Sequence, residues 1–176
     1  GGPRMGETQA EGPAERGRVR VARRHDAPAL VDLRIRFLGE SGREESRLRT
    51  HPDARERTEA MLPVWFEQPG LLLYVAEDAE DPARLVGYAM AQIEKLPPLL
   101  ARHHVGEVLE LYVEPDARGK GVGPALLEVA EGALAHRGAE VFRVRVPCVS
   151  EHALGRFEAA GYRPLQTTFE RRSSGD

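Results

Sequence analysis

The sequence predicts a mixed α/β fold, a central mixed sheet flanked by helices in the order β-α-α-β-β-β-α-β-α-β. Three observations carry this expectation. Alternating apolar runs are separated by stretches of helical periodicity. The early strand-like runs "GLLLYVAED" and "ARLVGYAMAQIE" flank the turn sequence "AEDP", which implies antiparallel pairing. Later, a strand, a helix and a strand follow in succession, which implies a right-handed parallel crossover.

The elements read as follows. Residues 1–17 are polar and rich in Gly, Glu and Arg, and are expected to be disordered. "RVRVA" alternates like a half-buried strand. Asp26 can cap the next helix, with Pro28 tolerated in its first turn and Leu30, Leu33, Phe37 and Leu38 on one face. "GESGREESRLRTHP" reads as a polar connection. Asp53 opens a second helix toward Glu67, which Pro63 should kink or interrupt. Its buried side would hold Met61, Leu62, Trp65 and Phe66. After the hairpin, "KLPPLLARHH" is irregular because consecutive prolines cannot join a ladder. A fourth strand spans 107–113, and a helix spans 124–137 with Leu126, Ala130, Ala133 and Leu134 as its stripe. Gly138 ends that helix. "EVFRVRV" is a fifth strand, Ser150 caps a last helix that Gly161 ends, and "RPLQTTFERR" supplies a sixth strand. The domain is thus expected over 18–170, with a flexible tail at 171–176.

Composition narrows the function. The chain of 176 residues is long enough for one domain with a sizeable core. A net charge of −3 offers no bulk attraction to nucleic acid or membrane. The single cysteine, Cys148, excludes an internal disulfide and a cysteine-based zinc cluster. No apolar run reaches membrane-spanning length and the N-terminus has no signal-peptide pattern, so a cytoplasmic location is expected.

The chemistry concentrates in "ARGKGVGPALL", after the apolar run "VLELYV". Gly119, Gly121 and Gly123 let the backbone turn tightly and approach a ligand closely. The following helix start offers unpaired N–H groups and the positive end of the macrodipole, while Arg118 and Lys120 add charge. Together these make an anion cradle. The P-loop pattern is absent. The dinucleotide fingerprint fails too, since Pro124 or Leu126 falls where its third glycine belongs.

Arg118, Gly121 and Gly123, preceded by "LELYVEPDA" and followed at a distance by "SEHALGRFEAAGYRPL", resemble the signature of the GNAT superfamily of acyl-CoA-dependent N-acyltransferases. The resemblance covers roughly residues 18–170 and implies a GNAT-like fold. It implies that backbone amides from Gly119 through Lys120, Gly121 and Val122 to Gly123 hold the pyrophosphate of coenzyme A. It implies that pantetheine pairs with the main chain of Leu111, Tyr112 and Val113. The implied activity is acetyl transfer from acetyl-CoA to a small-molecule or protein amine in a ternary complex, without a metal. A non-catalytic acyl-CoA-binding module is the alternative. A homodimer is compatible with either.

Two carboxylates on the fourth strand are candidates for general base. Strand alternation puts Glu107 and Glu110 on opposite faces. The resemblance favours Glu107 by its spacing from the loop, with Glu110 as the weaker alternative. The usual acid of the family is a Tyr on the last helix. Phe157 stands there and has no proton to give, and Ser150 stands where an Asn is common and can still bond the cofactor amide; by the resemblance both are expected to border the cofactor. His103, His104, Arg43, Arg47 and Arg49 are read as surface residues near the acceptor side. Cys148 is read as a loop residue, and Trp65 and Phe66 as core.

Overall fold

A computed structural model describes residues 18–44, 48–99, 101, 104–146 and 151–169. Strand β1 is Val19–Val21, followed by helices α1 (Ala27–Glu44) and α2 (Ala54–Glu67). Strands β2 (Leu71–Glu77), β3 (Leu85–Lys95) and β4 (His104–Val113) come next. Helix α3 (Val122–His136), strand β5 (Val141–Val144) and helix α4 (Glu151–Ala159) complete the order. The five strands form one sheet in the order β1-β2-β3-β4-β5. The first three pairings are antiparallel and β4–β5 is parallel. This is the expected mixed α/β architecture. Among the described residues no helix is long and apolar enough to cross a membrane.

Alternation along the strands divides the core in two. Leu72, Tyr74, Ala76, Ala89, Ala91 and Val108 pack against Leu126, Val129, Ala130 and Leu134 of α3. Leu73, Val75, Tyr88, Met90 and Tyr112 pack against Leu30, Leu33 and Leu62 of α1 and α2. Period-2 strands between period-3.6 helices produce these two layers directly.

Several boundaries differ from expectation, each for a local reason. Helix α1 runs through Gly39–Glu44 instead of ending at Leu38, and Ser41 Oγ donates back to the Phe37 carbonyl at 3.0 Å. Asp26 does not cap α1. It closes a 3-10 turn over Arg24–Asp26, accepting the Arg23 N–H at 2.7 Å and both arms of Arg20 at 2.7 and 2.9 Å. Pro63 lies inside a continuous α2 on its exposed side, where water can satisfy the carbonyl that the ring leaves unpaired. Helix α3 begins at Val122 and β4 at His104, both earlier than expected. Gly138 and Gly161 follow α3 and α4 at φ 92° and 90°, as expected of helix-ending glycines.

The sixth strand is absent from the described residues. Residues 162–169 carry no ladder, and Leu165 and Phe169 are exposed. "RPLQTTF" has strand composition, but its start is claimed by the end of α4. The Tyr162 N–H bonds Phe157, and its hydroxyl bonds Glu131 of α3. Pro164 then offers no N–H to a ladder.

The most consequential irregularity is in β4. Glu110 lies opposite Met90 and Val108 opposite Ala91, so Leu109 has no partner on β3. This β-bulge reverses the phase of the strand. Glu107 faces Gln92, two residues from Met90, so Glu107 and Glu110 point to the same side, that of α1 and α2. The expectation of opposite faces fails because simple alternation assumes an unbroken ladder.

Helix α3 lies close to the sheet at Gly106. A Cβ there would come within 2.9 Å of Leu134 Cβ and 3.0 Å of Ala139 Cβ. Gly106→Ala should therefore lower unfolding stability by about 1–3 kcal/mol through overpacking. Urea denaturation at constant m-value checks this.

Candidate active site

The bulge determines which main-chain groups of β4 are open. The Glu114 N–H donates to the Val86 carbonyl at 2.8 Å, which fixes the phase of the antiparallel ladder. Tyr112 and Glu110 therefore direct their main-chain groups to β3, while Leu111 and Val113 direct theirs toward β5. Pairing to β5 stops at Val108, opposite Val144, with one further bond from the Arg145 N–H to the Val108 carbonyl at 3.0 Å. Beyond it the edges separate. Of the three residues expected to pair with a ligand, Tyr112 is thus occupied by its own sheet.

The glycine turn stands at the end of this open edge. Gly119 and Gly121 have φ of 76° and 85°, which side chains rarely adopt. A Cβ on either would meet nothing of the chain within 4 Å, so the space before the turn is open. Gly121 is the N-cap of α3, and the first helical bond runs from Ala125 back to it. Pro124, in that first turn, contributes no N–H. The amides of Gly119, Lys120 and Gly121 have no partner among the described residues. Val122 and Gly123 add the unpaired amides of a helix start.

Arg118 departs from its expected role. Its Nε donates to the Val113 carbonyl at 2.9 Å, and its Nη2 pairs with Glu40 at 2.7 Å. Its guanidinium also lies 5.6 Å from the Tyr112 ring centre. The residue braces the turn against β4 and α1, so the exposed positive charge beside the glycines is that of Lys120. The Tyr112 hydroxyl donates to the same Glu40 at 3.1 Å. Burial, then Glu114 and Glu40, push this phenol up to about 12, so it remains a donor at neutral pH.

A cleft of about 470 Å³ follows the gap between β4 and β5. Phe37 and Glu40 of α1, Leu127 of α3, Arg145, and Phe157 of α4 are among its walls. Phe157 stacks edge-on to Tyr162 at 5.9 Å and is a purely apolar wall. A second depression, of about 540 Å³, surrounds Arg20, Asp26 and Glu77. Those three side chains are spent on one another.

The two candidate carboxylates have different surroundings. Glu110 accepts Arg34 Nε at 3.1 Å and Nη2 at 2.9 Å, and the Tyr88 hydroxyl at 2.7 Å. Arg34 in turn lies 4.7 Å from the Trp65 ring centre. Burial, then the Glu110 charge, hold the Tyr88 phenol well above its usual range, so it stays protonated. Glu110, partly buried, is therefore an anchor between sheet and α1. Glu107 is 5% exposed and among the described residues pairs with Arg145 alone, whose Nε lies 2.6 Å from Oε1 and whose side chain is 65% exposed. Arg143 stands opposite Glu107 on β5. Sequence reading missed Arg143, Arg145, Glu40 and Arg34. The alternating arginines of "FRVRV" were the available signal, because period 2 puts both on one face. Ser150, Cys148, His103 and Arg47 lie outside the described residues.

The Arg34–Glu110 pair gives a stability test. Arg34→Met should cost about 2 kcal/mol by leaving a partly buried carboxylate without its ionic partner, and adding Glu110→Gln should recover part of it. Chemical denaturation of the double-mutant cycle measures both.

Comparison with known proteins accords with this geometry. Residues 37–162 match the family model described as the acetyltransferase (GNAT) family. Mycothiol acetyltransferase of Propionibacterium freudenreichii is 35% identical over 120 residues, 67% of this chain and 34% of that protein. The corresponding protein of a Nocardioides species is 28% identical over 164 residues, 81% of this chain and 56% of that protein. The chain thus spans about a third to just over half of these curated relatives. The structure of a predicted acetyltransferase from Clostridium acetobutylicum with acetyl-CoA has a TM-score of 0.69 at 18% identity, covering 88% of this chain and 94% of that one. An aminoglycoside 6′-N-acetyltransferase from Acinetobacter haemolyticus has a TM-score of 0.67 at 14% identity, covering 90% and 99%. On the family match over residues 37–162, the chain belongs to the acetyltransferase (GNAT) family.

Proposed function

We propose that the protein transfers an acetyl group from acetyl-CoA to a primary amine, by direct attack in a ternary complex. One observation carries this reading. The open edge of β4 at Leu111 and Val113 runs into the glycine turn at α3, beside the cleft. Amide-bearing pantetheine fits an unpaired strand edge, and pyrophosphate fits a row of unpaired N–H groups at a helix start. Leu111 offers both its N–H and its carbonyl. Val113 offers its N–H alone, since Arg118 holds its carbonyl. Acetyl-CoA, when bound, supplies an activated acyl group on a good leaving thiol.

The chain's own residues then have three tasks. An alkyl ammonium with a pKa near ~10 must lose a proton before it can attack. Glu107 is the group we assign as acceptor of that proton, directly or through a water. Among the described residues its one ionic partner is Arg145, which reaches it from the solvent side and can swing away, whereas Glu110 is held by both Arg34 and the Tyr88 hydroxyl. The outward N–H of Leu111 is the donor for the thioester carbonyl oxygen. Phe157 gives no proton, so the thiol departs as thiolate, helped by a pKa lower than an amine's. We favour a small-molecule acceptor, in keeping with the mycothiol acetyltransferases to which the chain is similar. Phe157 also supports the second reading, an acyl-CoA-binding module without turnover.

Acetyl-CoA should raise the melting temperature and NADH should not; the reverse result removes the reading. Release of free thiol with a panel of amines separates enzyme from binding module. Glu107→Gln should lower turnover by about 10²-fold with CoA affinity little changed. A full pH–rate profile identical to wild type would remove Glu107 as base. Gly121→Val should weaken CoA binding by at least about tenfold, measured calorimetrically, because it strains the left-handed turn and fills the space before α3.

A further inference from the structure

We infer that the acceptor carries an anionic group beside its amine, and that Arg143 binds it. The inference rests on the transfer reaction proposed above and names its acceptor class, on the α1–α2 side of the sheet where Glu107 lies. Phe142 and Val144 pack into the α3 side of the core, so Arg143 between them projects to the side of α1 and α2. It lies opposite Glu107 in the parallel register.

Arg143 is unusual among the charged groups of this face. Its Nε is buried without a hydrogen-bond partner, and it makes no ion pair among the described residues. Its neighbours are already committed. Glu107 is held by Arg145, and Glu110 by Arg34. Gln92, opposite Glu107, is neutral. Glu94, the other carboxylate on this face of β3, lies opposite Val105, farther along the sheet. One cation is therefore left over beside the group assigned as base. A buried N–H of a charged group left without a partner is costly, and a guanidinium fork matches a carboxylate or phosphate. Neighbouring strands are about 4.8 Å apart. An anion seated on Arg143 would thus leave an amine a few bonds away within reach of Glu107. Amino acids and phosphorylated amines share this chemistry.

The test uses matched product pairs in the presence of saturating CoA, with binding measured calorimetrically. N-acetyl amino acids are compared with their carboxamides, and N-acetyl phosphoethanolamine with N-acetylethanolamine. In at least one pair the anionic member should bind at least about tenfold more tightly. Arg143→Gln should erase that preference and Arg143→Lys should keep part of it, with circular dichroism reporting the fold of each variant. The pair that discriminates identifies carboxylate or phosphate. No anionic preference in any pair, or a preference that survives Arg143→Gln, overturns the inference. A titration with CoA alone separates the two readings. Absence of CoA binding overturns the transfer reaction and this inference together, whereas CoA binding without anionic preference overturns this inference alone.

Discussion

Leu109 has no partner across the β3–β4 ladder, and this one extra residue sets the phase of all that follows on β4. Before it, the strand pairs on both sides, to β3 and to β5. After it, the groups that would bond β5 belong to Leu111 and Val113, and β5 has moved away. The bulge therefore opens a main-chain edge inside a sheet without leaving that edge at the sheet's rim. It also gathers Glu107, Glu110 and Tyr112 on one side, that of α1 and α2.

Packing around the bulge makes the irregularity durable. Glu110 is clasped by Arg34 and Tyr88, which ties the displaced segment to α1 and β3. Phe37 of α1 lies 6.5 Å from the Tyr88 ring and 5.9 Å from Tyr112, filling the space between these polar ties. On the opposite side, Val108 and Leu126 are fully buried, so the strand has no room to slide back into regular register.

The fold was largely legible because its signals are local. The crossover from β4 through α3 to β5 follows from periodicity and from the glycines at 119–123, and the family resemblance rests on the same stretch. What was not legible depends on pairing between distant segments. No local pattern at "EVLELYV" reveals that Leu109 is unpaired, so the facing of Glu107 and Glu110 was misjudged. Arg118 looked like a phosphate ligand because its partners, Glu40 and Val113, meet it only in three dimensions. "RPLQTTF" has the composition of a strand, yet a strand exists only where a ladder receives it. Arg143 and Arg145 were visible as alternating charges, but their meaning required the register with Glu107.

The brace formed by Arg118 has a consequence for recognition. Through Glu40 it grips α1, and through Val113 it grips the strand edge, so both walls of the cleft share one anchor. Their relative placement is thus settled when the chain folds. The entropy lost in ordering the walls is charged to folding rather than to association, so an incoming molecule meets a pre-organised cleft and keeps more of its contact energy as affinity.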